Sequence, residues 1–204
     1  MWKWKSMQKD RFILGYSNIA NLITLLGLFF ALASCFFAIN ENIRMSVTFL
    51  IASGLCDMYD GFASKKIKRT EPEKKFGTQL DTVADMVCFG ITPAVIVFSI
   101  VEAAWYALLV FVFYIICAAV RLAYFSTFAA ADKPVKHFQG LPVTSIAWIL
   151  PLVLFFHSAT ASITTLAIAG VLFIVNIRIP KTHGVWYVVF SAMAAALVIL
   201  WWRL

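Results

Sequence analysis

Apolar residues run along this chain in long blocks separated by short polar stretches. The first covers about Ile19–Ile39, follows Ser17-Asn18 and stops at the polar turn Asn40–Arg44. Further blocks cover about Met45–Ser64, Phe76–Val101, Ala104–Phe128, Leu141–Phe156, Ser162–Val175 and Val185–Trp202. A helix rises ~1.5 Å per residue and the hydrocarbon core is ~30 Å thick, so blocks of this kind predict membrane-spanning helices, seven in all. The intervening segments alternate in charge. Lys65–Lys75 is strongly basic and Arg178 and Lys181 mark a later loop, whereas His157-Ser158-Ala159 carries no lysine or arginine. Positive loops stay in the cytoplasm, which predicts the N-terminus inside and the C-terminus outside. Residues 1–16 mix Trp, Met and Phe with Lys and Arg and read as an interfacial helix on the cytoplasmic surface, ahead of one membrane domain over 17–204. The expected fold class is therefore all-α, a polytopic membrane helix bundle. No internal repeat is visible, which argues against a transporter built from inverted halves.

Composition sharpens this picture. The 204 residues are 62% hydrophobic, with a mean hydropathy of +0.88, and only 13% are charged. That balance excludes an ordinary soluble domain and leaves no length for a sizeable one beside the bundle. The net charge of +7 is scattered over short loops, so it reads as orientation and contact with anionic lipid heads, not as nucleic-acid binding. Cys35, Cys56, Cys88 and Cys117 lie in apolar runs without a CxxC and read as small buried residues. His137, His157 and His183 sit in loops or at span ends and form no zinc-like cluster. The small size and the absence of a targeting signal imply a prokaryotic cytoplasmic membrane.

Against this apolar background the stretch D-M-Y-D-G-F-A-S-K, K-I-K-R-T-E-P-E-K-K-F, G-T-Q-L-D-T-V-A-D from Asp57 to Asp85 stands apart. An acid near a bilayer core is costly and marks a functional site. Asp57 and Asp60 are three residues apart and Asp81 and Asp85 four apart, so each pair shares a helix face. Consecutive spans run in opposite directions, which brings both pairs to one depth near the cytoplasmic face. Close carboxylates repel unless cations neutralise them, and an all-oxygen donor set favours Mg²⁺, Mn²⁺ or Ca²⁺ over Zn²⁺. Arg121, in AAVRLAYF, lies about two turns from the rim of its span and either snorkels there or holds an anion.

These residues resemble the signature of the CDP-alcohol phosphotransferase family, D-x2-D-G-x2-A-R-x8-G-x3-D-x3-D. Asp57, Asp60, Gly61, Gly77, Asp81 and Asp85 match it in type and local spacing. Two departures stand out: Ser64-Lys65 occupies the Ala-Arg place, and eleven residues, not eight, precede Gly77. Lysine keeps the charge but loses the bidentate fork, and an insertion in a solvated loop costs little. The elements R-L-A-x-F, G-L-P-V and N-I-R-I-P-K resemble the serine-using branch, the CDP-diacylglycerol–serine O-phosphatidyltransferases. The resemblance implies transfer of a phosphatidyl group from CDP-diacylglycerol to L-serine, giving phosphatidylserine and CMP. It implies two divalent cations, Mg²⁺ or Mn²⁺, on Asp57, Asp60, Asp81 and Asp85, with Asp85 also the general base. Asn21 and Thr24 in the first span look like the family's nucleotide contacts, with Gly61 and Gly77 beside them and Lys65 on the phosphates. Arg121 is the candidate for the acceptor carboxylate or the lipid phosphate. A homodimer in contact with membrane lipids is also implied.

Three other readings compete. The same chemistry can use glycerol 3-phosphate, an inositol compound or another small alcohol. A divalent-cation channel or transporter would also carry intramembrane acids, but at several depths. A catalytically silent relative is the third, because of Ser64-Lys65.

Overall fold

A computed structural model describes residues 15–101, 105–129, 137–180 and 185–203. Residues 1–14 of the expected interfacial helix, and Asp132, Lys133, Lys136, Lys181 and His183, lie outside the described residues. The chain forms helices α1 (Ile19–Ile39), α2 (Ile43–Lys66), α3 (Glu71–Asp85), α4 (Thr92–Ile100), α5 (Trp105–Ala129), α6 (Ile146–Leu154), α7 (Ala159–Ile174) and α8 (Val185–Arg203). A π-helical segment, Met86–Ile91, joins α3 to α4, so Glu71–Ile100 is one continuous rod. Each predicted apolar block is thus a helix, and the architecture is the expected membrane bundle. Three of these helices, Ile19–Ile39, Glu71–Ile100 and Trp105–Thr127, are long and apolar enough to cross a bilayer. The loops before α6 and α8 add a minimal antiparallel pair, β1 (His137–Gln139) with β2 (Arg178–Pro180), in which Phe138 is in register with Ile179.

The helix starts follow from local chemistry. Asn18 caps α1 by accepting from the Asn21 amide at 2.9 Å, and Asn42 caps α2 from the Met45 amide at 3.1 Å. The span expected from Phe76 begins five residues earlier, at Glu71. Its N-terminus is a capping box: the Thr70 amide donates to Glu73 Oε2 at 2.8 Å, and Pro72 occupies the first turn. The expected loop Lys65–Lys75 therefore shrinks to Ile67–Thr70, because T-E-P-E is a helix entry rather than a loop. On the far side of α5, Gly140 has φ +73°, and a Cβ there would lie 2.6 Å from the Phe173 carbonyl oxygen. Only glycine fits, and it lets the Leu141 amide reach the Leu172 carbonyl at 2.9 Å, tying the entry of α6 to the end of α7.

Packing places α1 hard against α2. The buried face of α1 is small and polar: Ala20, Asn21, Thr24, Gly27, Ala31, Ser34 and Ala38. Small residues let helix backbones approach within a bilayer. A Cβ on Gly27 would sit 3.0 Å from the Cys56 Cβ, and Ser34 Oγ donates to the Ser46 carbonyl at 2.7 Å. The opposite face of α1 exposes Leu22, Leu25, Phe29, Leu32 and Phe36, as a lipid-facing surface does. The centre of the molecule is Tyr114, Phe89, Leu50, Ile51, Ile96, Ile146, Leu150 and Leu166, all fully buried.

Candidate active site

The acids meet as their spacing requires. Carboxylate oxygens of Asp57, Asp81 and Asp85 all lie within 4.8 Å of one another. Asp57 comes from α2 and the other two from α3, and α1, which packs against both helices, holds the two acidic faces on one side of the bundle. Asp60 stands one turn along α2 from Asp57 and is buried, and its Oδ2 accepts from Thr24 Oγ1 at 2.6 Å. Among the described residues no lysine or arginine forms an ion pair with any of the four. A half-buried group of carboxylates with no cation paired to it is electrostatically incomplete. Its all-oxygen donor set fits a hard divalent cation.

Two cavities open onto this group. The larger, about 510 Å³, is lined by Asp57, Asp81, Asp85, Arg121, Thr144 and Trp148, among others. The smaller, about 90 Å³, is lined by Asn21, Thr24, Asp60, Gly61, Arg69 and Gly77, among others. Thr78 and Asp81 line both. The carboxylate cluster therefore stands where two chambers adjoin.

The candidates chosen from sequence divide between these chambers. Asn21, Thr24, Gly61 and Gly77, the expected nucleotide contacts, share the small one. Asn21 is fixed by its Nδ2 donating to the Tyr16 carbonyl at 2.7 Å, which leaves Oδ1 beside Gly77. Lys65 and Arg121 belong to the large chamber instead, and Lys65 is exposed. Arg121 is only 7% exposed, and its Nε has no hydrogen-bond partner. Its guanidinium lies over the Phe125 ring, 4.1 Å from the centroid. Arg121 is thus buried at a cavity wall with its Nε unsatisfied, a placement chemically suited to an anion.

Sequence reasoning missed Arg69 and Thr78. Arg69 looked like one more charge in a basic run. Thr78 had a readable signal: it lies three residues before Asp81, on the same helix face.

The π-helical segment begins directly after Asp85. Such bulges leave backbone groups unpaired and concentrate at functional sites. Here the wayward carbonyls are claimed: Tyr114 Oη donates to the Phe89 oxygen and Thr92 Oγ1 to the Val87 oxygen at 2.9 Å.

Comparison with known proteins gives the family and its relatives. The family model described as CDP-alcohol phosphatidyltransferase matches residues 17–202. The chain is similar to an archaetidylserine synthase of Methanothermobacter thermautotrophicus, 25% identical over 182 residues, covering 87% of this chain and 76% of that protein. It is also similar to proteins named CDP-diacylglycerol–serine O-phosphatidyltransferase. That of Methanocaldococcus jannaschii is 29% identical over 196 residues, covering 96% of this chain and 87% of the relative. That of Helicobacter pylori is 28% identical over 172 residues, covering 79% and 71%.

Proposed function

The chain belongs to the CDP-alcohol phosphatidyltransferase family, and from that premise we propose that it transfers the phosphatidyl group of CDP-diacylglycerol, or of a lipid with the same CDP head, to the hydroxyl of L-serine. The products are phosphatidylserine, or its lipid equivalent, and CMP. The observation that carries this reading is the shared wall: Asp81 and Thr78 line both chambers, so a nucleotide in the small one and an acceptor in the large one meet at the carboxylates. The serine acceptor is supported by the names of the relatives and by Arg121, whose unpaired guanidinium suits one carboxylate.

Asp57, Asp81 and Asp85, with Asp60 beside them, would hold two divalent cations, Mg²⁺ or Mn²⁺, which when bound neutralise the pyrophosphate and polarise the attacked phosphorus. Asn21, Thr24, Gly61 and Gly77 seat the cytidine nucleotide, and Lys65 adds positive charge at the mouth of the large chamber. Arg121 orients serine by its carboxylate. Asp85, facing the large chamber, takes the proton from the serine hydroxyl as its oxygen bonds to the lipid-side phosphorus. The phosphorus–oxygen bond to CMP breaks, and CMP leaves through the small chamber.

Lys65, Lys66, Lys68, Arg69, Lys74 and Lys75 gather at the α2–α3 end of the bundle, which supports our reading of a cytoplasmic face for the site, in a membrane we take to be prokaryotic. The resemblance also implies a homodimer.

The test uses purified protein in detergent with CDP-diacylglycerol and a panel of labelled alcohols. CMP release is expected with L-serine and not with glycerol 3-phosphate or inositol phosphate. Asp85→Asn is expected to abolish it while the protein stays folded. Turnover retained in that variant removes Asp85 as the base, and a preference for another alcohol overturns the serine assignment.

A further inference from the structure

The signature arginine is missing at position 65, and Lys65 does not replace it in the nucleotide chamber: it is exposed and lines the large cavity. A different cation does stand there. Arg69, in the short Ile67–Thr70 connection, lines the small chamber with Asn21, Thr24, Asp60, Gly61 and Gly77. Its Nη2 donates to the Ser64 carbonyl at 3.1 Å, which folds the side chain back over the end of α2. Its Nη1 reaches so near Gly77 that a Cβ there would lie 3.1 Å away, the same distance as from Asn21 Oδ1. The missing side chain of Gly77 thus makes room for a guanidinium and an amide oxygen at one spot. Arg69 is half-buried, and it lines the small chamber together with Asp81 and Thr78, the residues of the wall between the chambers. The longer interval before Gly77 supplies the connection from which this side chain returns.

We propose that Arg69 is the nucleotide-phosphate ligand of this chain: its guanidinium grips a phosphate oxygen of the CDP group, the task left open by lysine at position 65. Position in the signature and position in space have separated. The cation at the matching place serves the large chamber, and a cation four residues later serves the small one. A guanidinium held by one nitrogen to a carbonyl keeps its remaining donors for a phosphate, and its planar fork matches phosphate better than an ammonium does. The proposal rests on the reading that the small chamber takes the nucleotide.

Enzyme kinetics with separate variation of CDP-diacylglycerol and serine, together with inhibition by CMP, test it. Arg69→Ala should raise the KM for CDP-diacylglycerol and the inhibition constant of CMP by about tenfold or more, as loss of a charged hydrogen bond does, while the KM for serine stays unchanged. Arg69→Lys, which keeps the charge and most of the length, should recover part of that loss, and it guards against a folding defect in the alanine variant. If Asn21→Ala weakens CMP while both Arg69 variants leave it unchanged, Arg69 is not the ligand but the nucleotide reading stands. If none of these variants alters CMP inhibition, the nucleotide is not in the small chamber, and both readings fall.

Discussion

At the scale of single residues, two glycines of the signature do different work, and the surroundings of each say which. A Cβ on Gly61 would meet nothing within 4 Å, whereas one on Gly77 would crowd both Arg69 and Asn21. The open space at Gly61 lies on the wall of the small chamber and is free for a ligand. Gly61→Ala should therefore fold with an unchanged melting temperature and show its effect only in the KM for the CDP lipid. Gly77→Ala should displace a guanidinium or an amide from the chamber, for about 1 kcal/mol or roughly fivefold in that KM. Thermal melts and kinetics on the two variants side by side check this, and a destabilised Gly61→Ala protein would contradict it. The acid pairs were legible in sequence because short-range spacing on a helix fixes which side chains share a face, whereas both glycines, Asn21 and Thr24 were singled out through the resemblance to the family signature. Arg69 was not legible. Its placement depends on the path of four non-helical residues, and nothing in the spacing of lysines and arginines encodes that path.

At the scale of elements, the seven apolar blocks were readable as helices, although among the described residues only three helices reach the length and apolarity needed to cross a bilayer. Their ends were less so. The start of α3 moved by five residues because Thr70 and Glu73 form a reciprocal cap inside what charge alone marks as loop. The π-helical segment left no mark in the hydrophobic pattern at all, since every residue of Met86–Ile91 is apolar or glycine. What holds it is a tertiary contact: the fully buried Tyr114 of α5 donates to the Phe89 carbonyl. Removing that hydroxyl leaves a buried carbonyl without a donor, which costs about 1–3 kcal/mol. Tyr114→Phe should accordingly lower the melting temperature by several degrees, about 2–4 °C per kcal/mol for a chain of this size. Activity should fall with it, because the segment continues straight from Asp85. A variant with wild-type stability would show that the π segment is held by its own sequence instead.

At the scale of the whole molecule, the bundle closes around a charge it does not itself balance. Small faces on α1 and α2 bring backbones close, and α1, which packs against both α2 and α3, holds Asp57, Asp81 and Asp85 on one side of the bundle, with Asp60 alongside. No lysine or arginine among the described residues pairs with them. Like charges a few ångströms apart in a medium of low dielectric repel by several kcal/mol, so folding works against the site that function requires. A divalent cation bound only by the folded state removes that opposition and stabilises by RT ln(1 + [ion]/Kd), about 2.7 kcal/mol at a hundredfold excess over Kd. Purified protein stripped with EDTA should thus be inactive and melt several degrees lower than protein in millimolar Mg²⁺ or Mn²⁺. Sodium chloride at equal ionic strength should not restore the difference, since screening acts less on partly buried charges than on exposed ones. In the double variant Asp57→Asn, Asp85→Asn the repulsion is gone and so are the ligands. Its melting temperature should no longer respond to the ion, and it should lie above that of the stripped wild type. Equal melting temperatures for stripped and metal-loaded wild-type protein would mean that the carboxylates balance one another by sharing protons, and the cation would lose its place in the fold.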